Sequence, residues 1–293
     1  MSIFKKGFKK HKRISPEGFR YRGIGSSRLE NLTDTVFGFS ITLLVIASEV
    51  PRSYTELQAS MYSFIGFIFC ILLLLGIWNN HRNFFLHYGL IDTTNKILNF
   101  LFLFVLLFYI YPLKFLFSYL GTAIYARIKL AVGDKSEALR LALDKLAESN
   151  MNQEQWADIM IRFGLGLLLI YFIFWFMHKN ALRKRKILAL TKREVFITRS
   201  FLQSYVILMA IAFLSMLVVI IFGGRYAAIS GYVYLLVPIL LPLQARYRKK
   251  RLLQKVWKNK IVAETPDAEN LSSTDESLKI TETIDPELPT END

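Results

Sequence analysis

Cysteine is nearly absent from this chain, and histidine is scarce. Its 293 residues hold one Cys, Cys70, and four His: His11, His81, His87 and His178. A lone thiol in an apolar run makes no intrachain disulfide and says little about redox compartment. No two histidines fall at a metal-pair spacing, and no P-loop, Gly-x-Ser-x-Gly or His-Glu-x-x-His occurs, so neither an enzyme nor a metal or cofactor site is expected. Acidic residues are few as well, 23 against 37 Lys and Arg, for a net charge of +14. What is abundant is apolar. Fifty-three per cent of the chain is hydrophobic, with 24 Phe and 14 Tyr, against about 45–50% in an average soluble domain; mean hydropathy is +0.32. A chain both greasy and basic is a nucleic-acid binder or a membrane protein with basic loops, and the position of the charges decides which.

A membrane-spanning helix needs about 20 mostly apolar residues. Six segments qualify, near 33–48, 59–79, 97–119, 159–177, 201–222 and 228–244, so the expected fold is all-α and polytopic with six transmembrane helices. The first is short and holds Thr33, Asp34, Thr35, Ser40 and Thr42, groups costly to turn toward lipid. It is expected to face protein or water. Residues 1–27 have no apolar run before Leu32, so no secretory signal peptide is expected.

The charges alternate. Segment 1–28 carries nine Lys/Arg and one Glu, loop 178–199 eight and one, and 245–260 eight and none. Segment 80–96 holds Arg82, Lys96 and Asp92. The loops between, 48–58, 119–158 and 223–227, hold seven basic and eight acidic residues together. Every second loop is basic, the positive-inside pattern for both termini in the cytoplasm. Basic clusters at helix ends also argue against a nucleic-acid partner.

The chain therefore divides into a basic cytoplasmic amino terminus (1–27), helices one to three (28–120), an outer loop (121–157), helices four to six (158–247) and a tail, basic then acidic (248–293). In the outer loop, 134–148 reads as an amphipathic helix opened by a capping-box-like Asp134…Glu137, with Leu139, Leu143 and Leu146 on one face, packed on the bundle or lying at the lipid surface. Residues 264–293 hold ten acids against Lys279 and are expected to be disordered. That tail hides +23 on the remainder. Basic runs 183–186 and 246–251 are topological determinants, with anionic-lipid contact as a further reading.

Gly231-Tyr232-Val233 lacks the Thr-Val-Gly-Tyr-Gly order of a carbonyl-lined filter. The informative stretch is 28–51. On a helix Thr35, Phe39, Thr42 and Ile46 share a stripe within about 60°. Copies around an axis would ring a narrow passage, where apolar rings exclude water and Thr hydroxyls replace part of an ion's hydration. Phe39 and Ile46 as ordinary packing, and Thr42 bonded to a carbonyl one turn earlier, are the alternatives. Arg28 and Asp34 read as an interfacial ion pair or as part of a polar cluster; Trp78 and His81 read as interfacial anchors or as members of the same cluster. Asp34 and Asp92 are the carboxylates near the inner face, with nothing paired for acid–base work.

Arg28-x-x-x-Leu32-Thr33-Asp34 resembles the Arg-x-x-x-Phe-Ser-Asp signature of the transmembrane protein 175 family of potassium channels. Ile77-Trp78-Asn79-Asn80-His81-Arg82-Asn83-Phe84-Phe85 is similar to that family's Trp-x-x-His-His-Arg-x-x-Phe ending of the second helix, with Arg82 at the second His. Asn99, leading an aromatic run to Pro112, is compatible. The resemblance covers 28–120, and 159–244 by helix count.

The resemblance implies a homotetramer in a cell membrane, with the first helices lining a potassium-permeable pore and lipid around it. The apolar constriction maps onto Phe39, Thr42 and Ile46, beside Thr35. The polar cluster maps onto Arg28, Thr33, Asp34, Trp78 and His81. The family usually holds Ile or Leu where Phe39 stands, and a bulkier ring closes a pore more tightly or alters its selectivity. A non-conducting scaffold or lipid-interacting protein on the same fold, and a proton-leak channel, are the alternatives.

Overall fold

Helix starts are set by caps. The computed structural model describes residues 14–15, 18–46, 51–149 and 151–264, with backbone alone at 46, 249 and 252–264. Helix α1 spans Arg28–Ile46. It opens on a reciprocal box in which Glu30 N donates to Ser27 Oγ (3.2 Å) and Ser27 N to Glu30 Oε1 (3.1 Å). A short α2 (Tyr54–Met61) leads into α3 (Phe64–Tyr88), which stops at Gly89 in the left-handed region, φ +55°. Such a stop favours glycine because it carries no Cβ. Helix α4 runs Thr93–Ala131, straight through Pro112, and α5 covers Glu137–Glu148. Helices α6 (Gln153–Arg183) and α7 (Lys192–Phe222) start on capping boxes, Asn152 with Gln155 and Thr191 with Glu194. Two 3-10 turns, Gly224–Tyr226 and Tyr234–Leu236, frame α8 (Ala227–Val233) before α9 (Val237–Glu264). Among the described residues there is no strand, only an isolated bridge between Ile14 and Arg20.

Five stretches are long and apolar enough to cross a membrane: α3, α4, α6, α7 and Gly224–Arg248. Helix α1 is shorter and more polar, as its Thr and Asp content implies. The α6–α7 hairpin forms the most extensive pair, α3 and α4 pack beside it, and α1 leans on α3 and α4. The core runs through Leu74, Phe84, Phe102, Leu106, Ile170 and Phe174, all fully buried. At one end, which we call the strap end, residues 18–24 cross the end of α3, the α6–α7 turn and the start of α7. At the other, the cap end, α2, α5 and the last turns of α4 share a small cluster of Ala59, Tyr62, Ala126, Ala138, Leu139 and Ala142.

Several boundaries differ from expectation. The segment 59–79 is broken, because Tyr62 and Ser63 separate α2 from α3, and α3 continues nine residues further to Tyr88. Helix α4 overruns 97–119 at both ends, since Tyr125 and Ala126 carry it into the cap cluster. The amphipathic helix starts at Glu137 and not Asp134: its cap is Ser136, whose Oγ accepts from Leu139 N. Asp134 instead accepts from Ser136 N (2.8 Å) and pairs with Lys129 (3.1 Å). The helix packs on α2 and α4 through Ala138, Leu139 and Ala142. The segment 228–244 is interrupted by the turn at Tyr234. Residues Pro242–Asp293 form a second unit. There α9 continues to Glu264, with the Arg251 guanidinium 4.4 Å from the Tyr247 ring centroid. The acidic tail beyond residue 264 lies outside the described residues.

Helices α3 and α4 cross where two glycines meet. A Cβ at Gly66 would sit 1.8 Å from Phe117 O, and one at Gly121 would sit 2.4 Å from Gly66 N. Without a hydrophobic drive between helices in lipid, such close backbone approach supplies the packing. Gly66→Ala is therefore expected to cost about 2 kcal/mol and to lower the heat-unfolding midpoint in detergent. Gly76→Ala, where nothing lies within 4 Å, is the control and should leave the midpoint unchanged.

Candidate functional site

Helix α1 has two faces. Thr33, Phe37, Ser40 and Leu44 are buried, and steps of four, three and four keep them on one stripe. That stripe packs on α3 and α4, with Phe37 5.9 Å from Phe102 between ring centroids. Thr35, Phe39 and Thr42 lie roughly opposite and are exposed, Phe39 by 56%. Both Thr hydroxyls donate back to their own helix, Thr35 to Asn31 O (2.9 Å) and Thr42 to Gly38 O (3.0 Å). The hydroxyl oxygens thus keep lone pairs on the outward side. Ile46 ends the helix, and its side chain lies outside the described residues.

What fixes the rotation of α1 is a relay of buried hydrogen bonds across three helices. Asn99 on α4 donates through Nδ2 to Thr33 Oγ1 (3.0 Å), and Thr33 donates to Leu29 O (2.9 Å). Asn99 Oδ1 meets His81 Nε2 on α3 at 2.6 Å. An amide oxygen only accepts, so with this amide orientation His81 carries its proton on Nε2 and donates. Thr33 and Asn99 are fully buried and His81 nearly so. The imidazole also stacks on Phe102, 5.3 Å between centroids and 11° between planes.

A second tether sits one residue on. Trp78 Nε1 donates to Asp34 Oδ1 at 2.8 Å, on the exposed side, with the Arg82 guanidinium 5.6 Å over the indole. The structure thus brings Thr33, Asp34, Trp78 and His81 together. Arg28 stands apart: it is exposed, and among the described residues it forms no ion pair with Asp34 or any other acid. Trp78→Phe keeps the ring under Arg82 but removes the donor. It is expected to lower stability by about 1 kcal/mol, read as a small drop in unfolding midpoint.

Asn99 belongs to this cluster although sequence reasoning left it as a flanking residue. Its signal was an amide inside an apolar span, where a polar group seeks a partner. A second polar assembly, at the strap end, went unread altogether. Glu194, 1% exposed in its side chain, accepts from Arg20 Nε (3.2 Å), Arg22 Nη2 (2.8 Å), Arg20 N (3.0 Å) and Thr191 N (2.8 Å). Satisfying all these contacts is what makes a buried carboxylate tolerable. Phe19, fully buried, lies 4.4 Å from His87 between ring centroids. Arg22 N and Gly23 N both donate to Leu86 O. Nearby, Asp92 accepts from Lys184 Nζ (2.8 Å), Asn180 Nδ2 (3.0 Å) and Asn95 Nδ2 (2.7 Å). Burial pushes the Asp92 carboxyl up, but hydrogen bonds from Lys184 and Asn180 outweigh it and hold the group below its ordinary value.

Fold and site together define an all-helical, multi-pass integral membrane protein whose first helix is pinned by polar bonds and turns a Thr–Phe–Thr stripe away from its own bundle. The profile of the endosomal/lysosomal potassium channel TMEM175 matches residues 28–109, which hold both the stripe and the cluster. A potassium channel of Marivirga tractuosa is 35% identical over 242 residues, covering 80% of this chain and 94% of that one. A potassium channel of Streptomyces collinus is 27% identical over 160 residues, 49% of this chain and 78% of its own. The crystal structure of a variant of the potassium channel MtTMEM175, bound to a nanobody fusion, superposes with a TM-score of 0.66 at 31% identity, covering 79% of this chain and 97% of that one. The chain belongs to the TMEM175 family of potassium channels.

Proposed function

We propose that the chain is one subunit of a homotetrameric, potassium-permeable channel of the cell membrane, with four copies of α1 around the pore. The observation that carries this reading is the outward stripe of Thr35, Phe39 and Thr42. It faces away from the helices that bury α1, and its hydroxyl oxygens keep lone pairs that lipid would leave unmet. Around an axis, Phe39 and Ile46 form apolar rings that hold back water. Thr42 and Thr35 offer oxygen lone pairs to a partly dehydrated cation. Arg28, which forms no ion pair among the described residues, stands at the pore entrance on the strap end. The charge ledger supports a cytoplasmic position for that end, and the partners of this reading are membrane lipids and potassium ions.

The test is potassium flux in vesicles. Purified wild-type protein is expected to dissipate a potassium gradient faster than empty vesicles, and faster for potassium than for sodium. If neither the wild type nor Phe39→Ala moves any monovalent cation, the channel reading fails and a non-conducting scaffold on the same fold replaces it. Flux carried by protons alone supports the leak variant instead.

A further inference from the structure

Glu194 joins parts of the chain that lie far apart in sequence. Its carboxylate takes the strap through Arg20 and Arg22. Its carbonyl oxygen accepts from the Thr198 hydroxyl (2.8 Å), which in turn accepts from Tyr88 at the end of α3 (2.8 Å). The strap also reaches the α6–α7 turn, where Arg20 Nη2 donates to Ala189 O (2.7 Å) and Arg22 Nε to Leu188 O (2.9 Å). Close backbone approach fixes its height over α3. A Cβ on Gly23 would run into the Phe85 carbonyl oxygen, and one on Gly89 would stand 3.1 Å from the Arg22 carbonyl. Phe19, buried against His87 and Tyr88, holds the other side.

From Gly23, where these contacts end, only residues 24–27 lead to Arg28, the first residue of α1. Ile24 is 65% exposed, Gly25 has φ +110°, and nothing lies within 4 Å of where a Gly25 Cβ would stand. Ser27 already belongs to the cap of α1. The five steps from Gly23 to Arg28 reach at most about 18 Å, so a docked strap confines the start of the helix. That first turn precedes Thr33 and Asp34, the residues that tie α1 to α4 and α3. Leu29 packs against the core there, while Arg28 and Asn31 are exposed.

We propose that Glu194 is a positioning residue for the pore entrance: through Arg20, Arg22 and the link 24–27 it sets where the first turn of α1 stands. The proposal rests on α1 lining the pore. Around an axis, four Arg28 guanidiniums repel one another, and the docked straps hold them in against that repulsion. Held so, they oppose the entry of cations from the strap end. A strap that only staples α3 to α7 is the competing role. The two separate cleanly, because the link can be lengthened without touching a strap contact.

The experiment inserts Gly-Ser-Gly between Ile24 and Gly25 in the full chain, which leaves the strap contacts and the ties of α1 in place. Glu194→Gln, which unseats both arginines, is its companion; if that variant does not fold, the insertion alone decides. Strap docking is read by trypsin cleavage after Arg20 and Arg22 in detergent. The entrance is read by the mobility of a nitroxide at Asn31→Cys on a Cys70→Ala background, diluted with unlabelled subunits. The insertion should keep the wild-type protection from trypsin and the wild-type unfolding midpoint. It should nevertheless narrow the nitroxide lines and raise potassium flux by about threefold or more at low salt. Salt at about 1 M, where the Debye length is about 3 Å, should erase that gain. Glu194→Gln should lose the protection and show the same mobile nitroxide. An unchanged nitroxide spectrum in the insertion variant overturns the proposal and leaves the strap as a staple. So does a mobile nitroxide with unchanged flux in protein that conducts. A mobile nitroxide in protein that conducts no cation upholds the coupling of Glu194 to α1 and overturns the pore reading alone.

Discussion

Replacing Phe39 by Ala is expected to raise potassium flux by on the order of tenfold, a change that corresponds to about 1.4 kcal/mol off the conduction barrier. The ring is 56% exposed and on the face of α1 opposite Phe37 and Leu44. It contributes little to the packing of the subunit, so its removal should leave the unfolding midpoint near that of wild type. In the proposed ring of four it would narrow the passage and repel water, and water must enter before a hydrated cation follows. Shortening it by a whole ring leaves the Thr42 and Thr35 hydroxyls in place while lowering the cost of wetting. Stopped-flow flux from potassium-loaded vesicles reads the result directly. A variant that conducts while wild type does not identifies Phe39 as the closed neck. Identical flux in both places the stripe away from the pathway.

Asn99→Leu should produce the largest loss of stability among these substitutions. It deletes the acceptor of His81 Nε2 and the donor to Thr33 Oγ1 in one step, inside a layer where all three residues are buried. Thr33 keeps Leu29 O, but His81 retains an N–H with no partner. Hydrogen bonds between membrane helices average ~0.6 kcal/mol, with larger cases near 1.7, and an orphaned buried donor adds ~1–3. The sum is a loss of about 2–4 kcal/mol, seen as a lower midpoint and earlier aggregation in detergent. Adding His81→Phe to Asn99→Leu removes the orphan and should recover part of that loss. Failure of the double variant to recover anything would show that volume, not hydrogen bonding, holds this layer.

The spans were legible because a bilayer imposes a length and a composition that few other environments demand. Their ends were not. Whether a helix breaks at Tyr62 or runs through Pro112 depends on neighbours that a hydropathy window does not contain. The same divide separates the polar groups. Thr33 and Asp34 share one end of a helix, and Trp78 and His81 lie three residues apart, so helical spacing alone gathers them. Asn99 is brought in from a third helix by packing, and no local pattern points to it. Arg20 and Arg22 looked like orientation charges; Glu194, the one acid in a loop of eight bases, was the clue that some of them had a fixed destination.

Thr33 and Asp34 are adjacent, so their tethers leave α1 about 100° apart around its axis. One leads to α4 and the other to α3. A rod held at two directions on the same level can no longer spin, and buried Phe37, Ser40 and Leu44 keep its later turns seated on the same bundle. Phe39 and Thr42 lie one to three turns from that pivot, on the opposite, exposed face. In the proposed pore, a motion that keeps both bonds would therefore carry α1 together with the helices that bury it, while the face it presents stays constant.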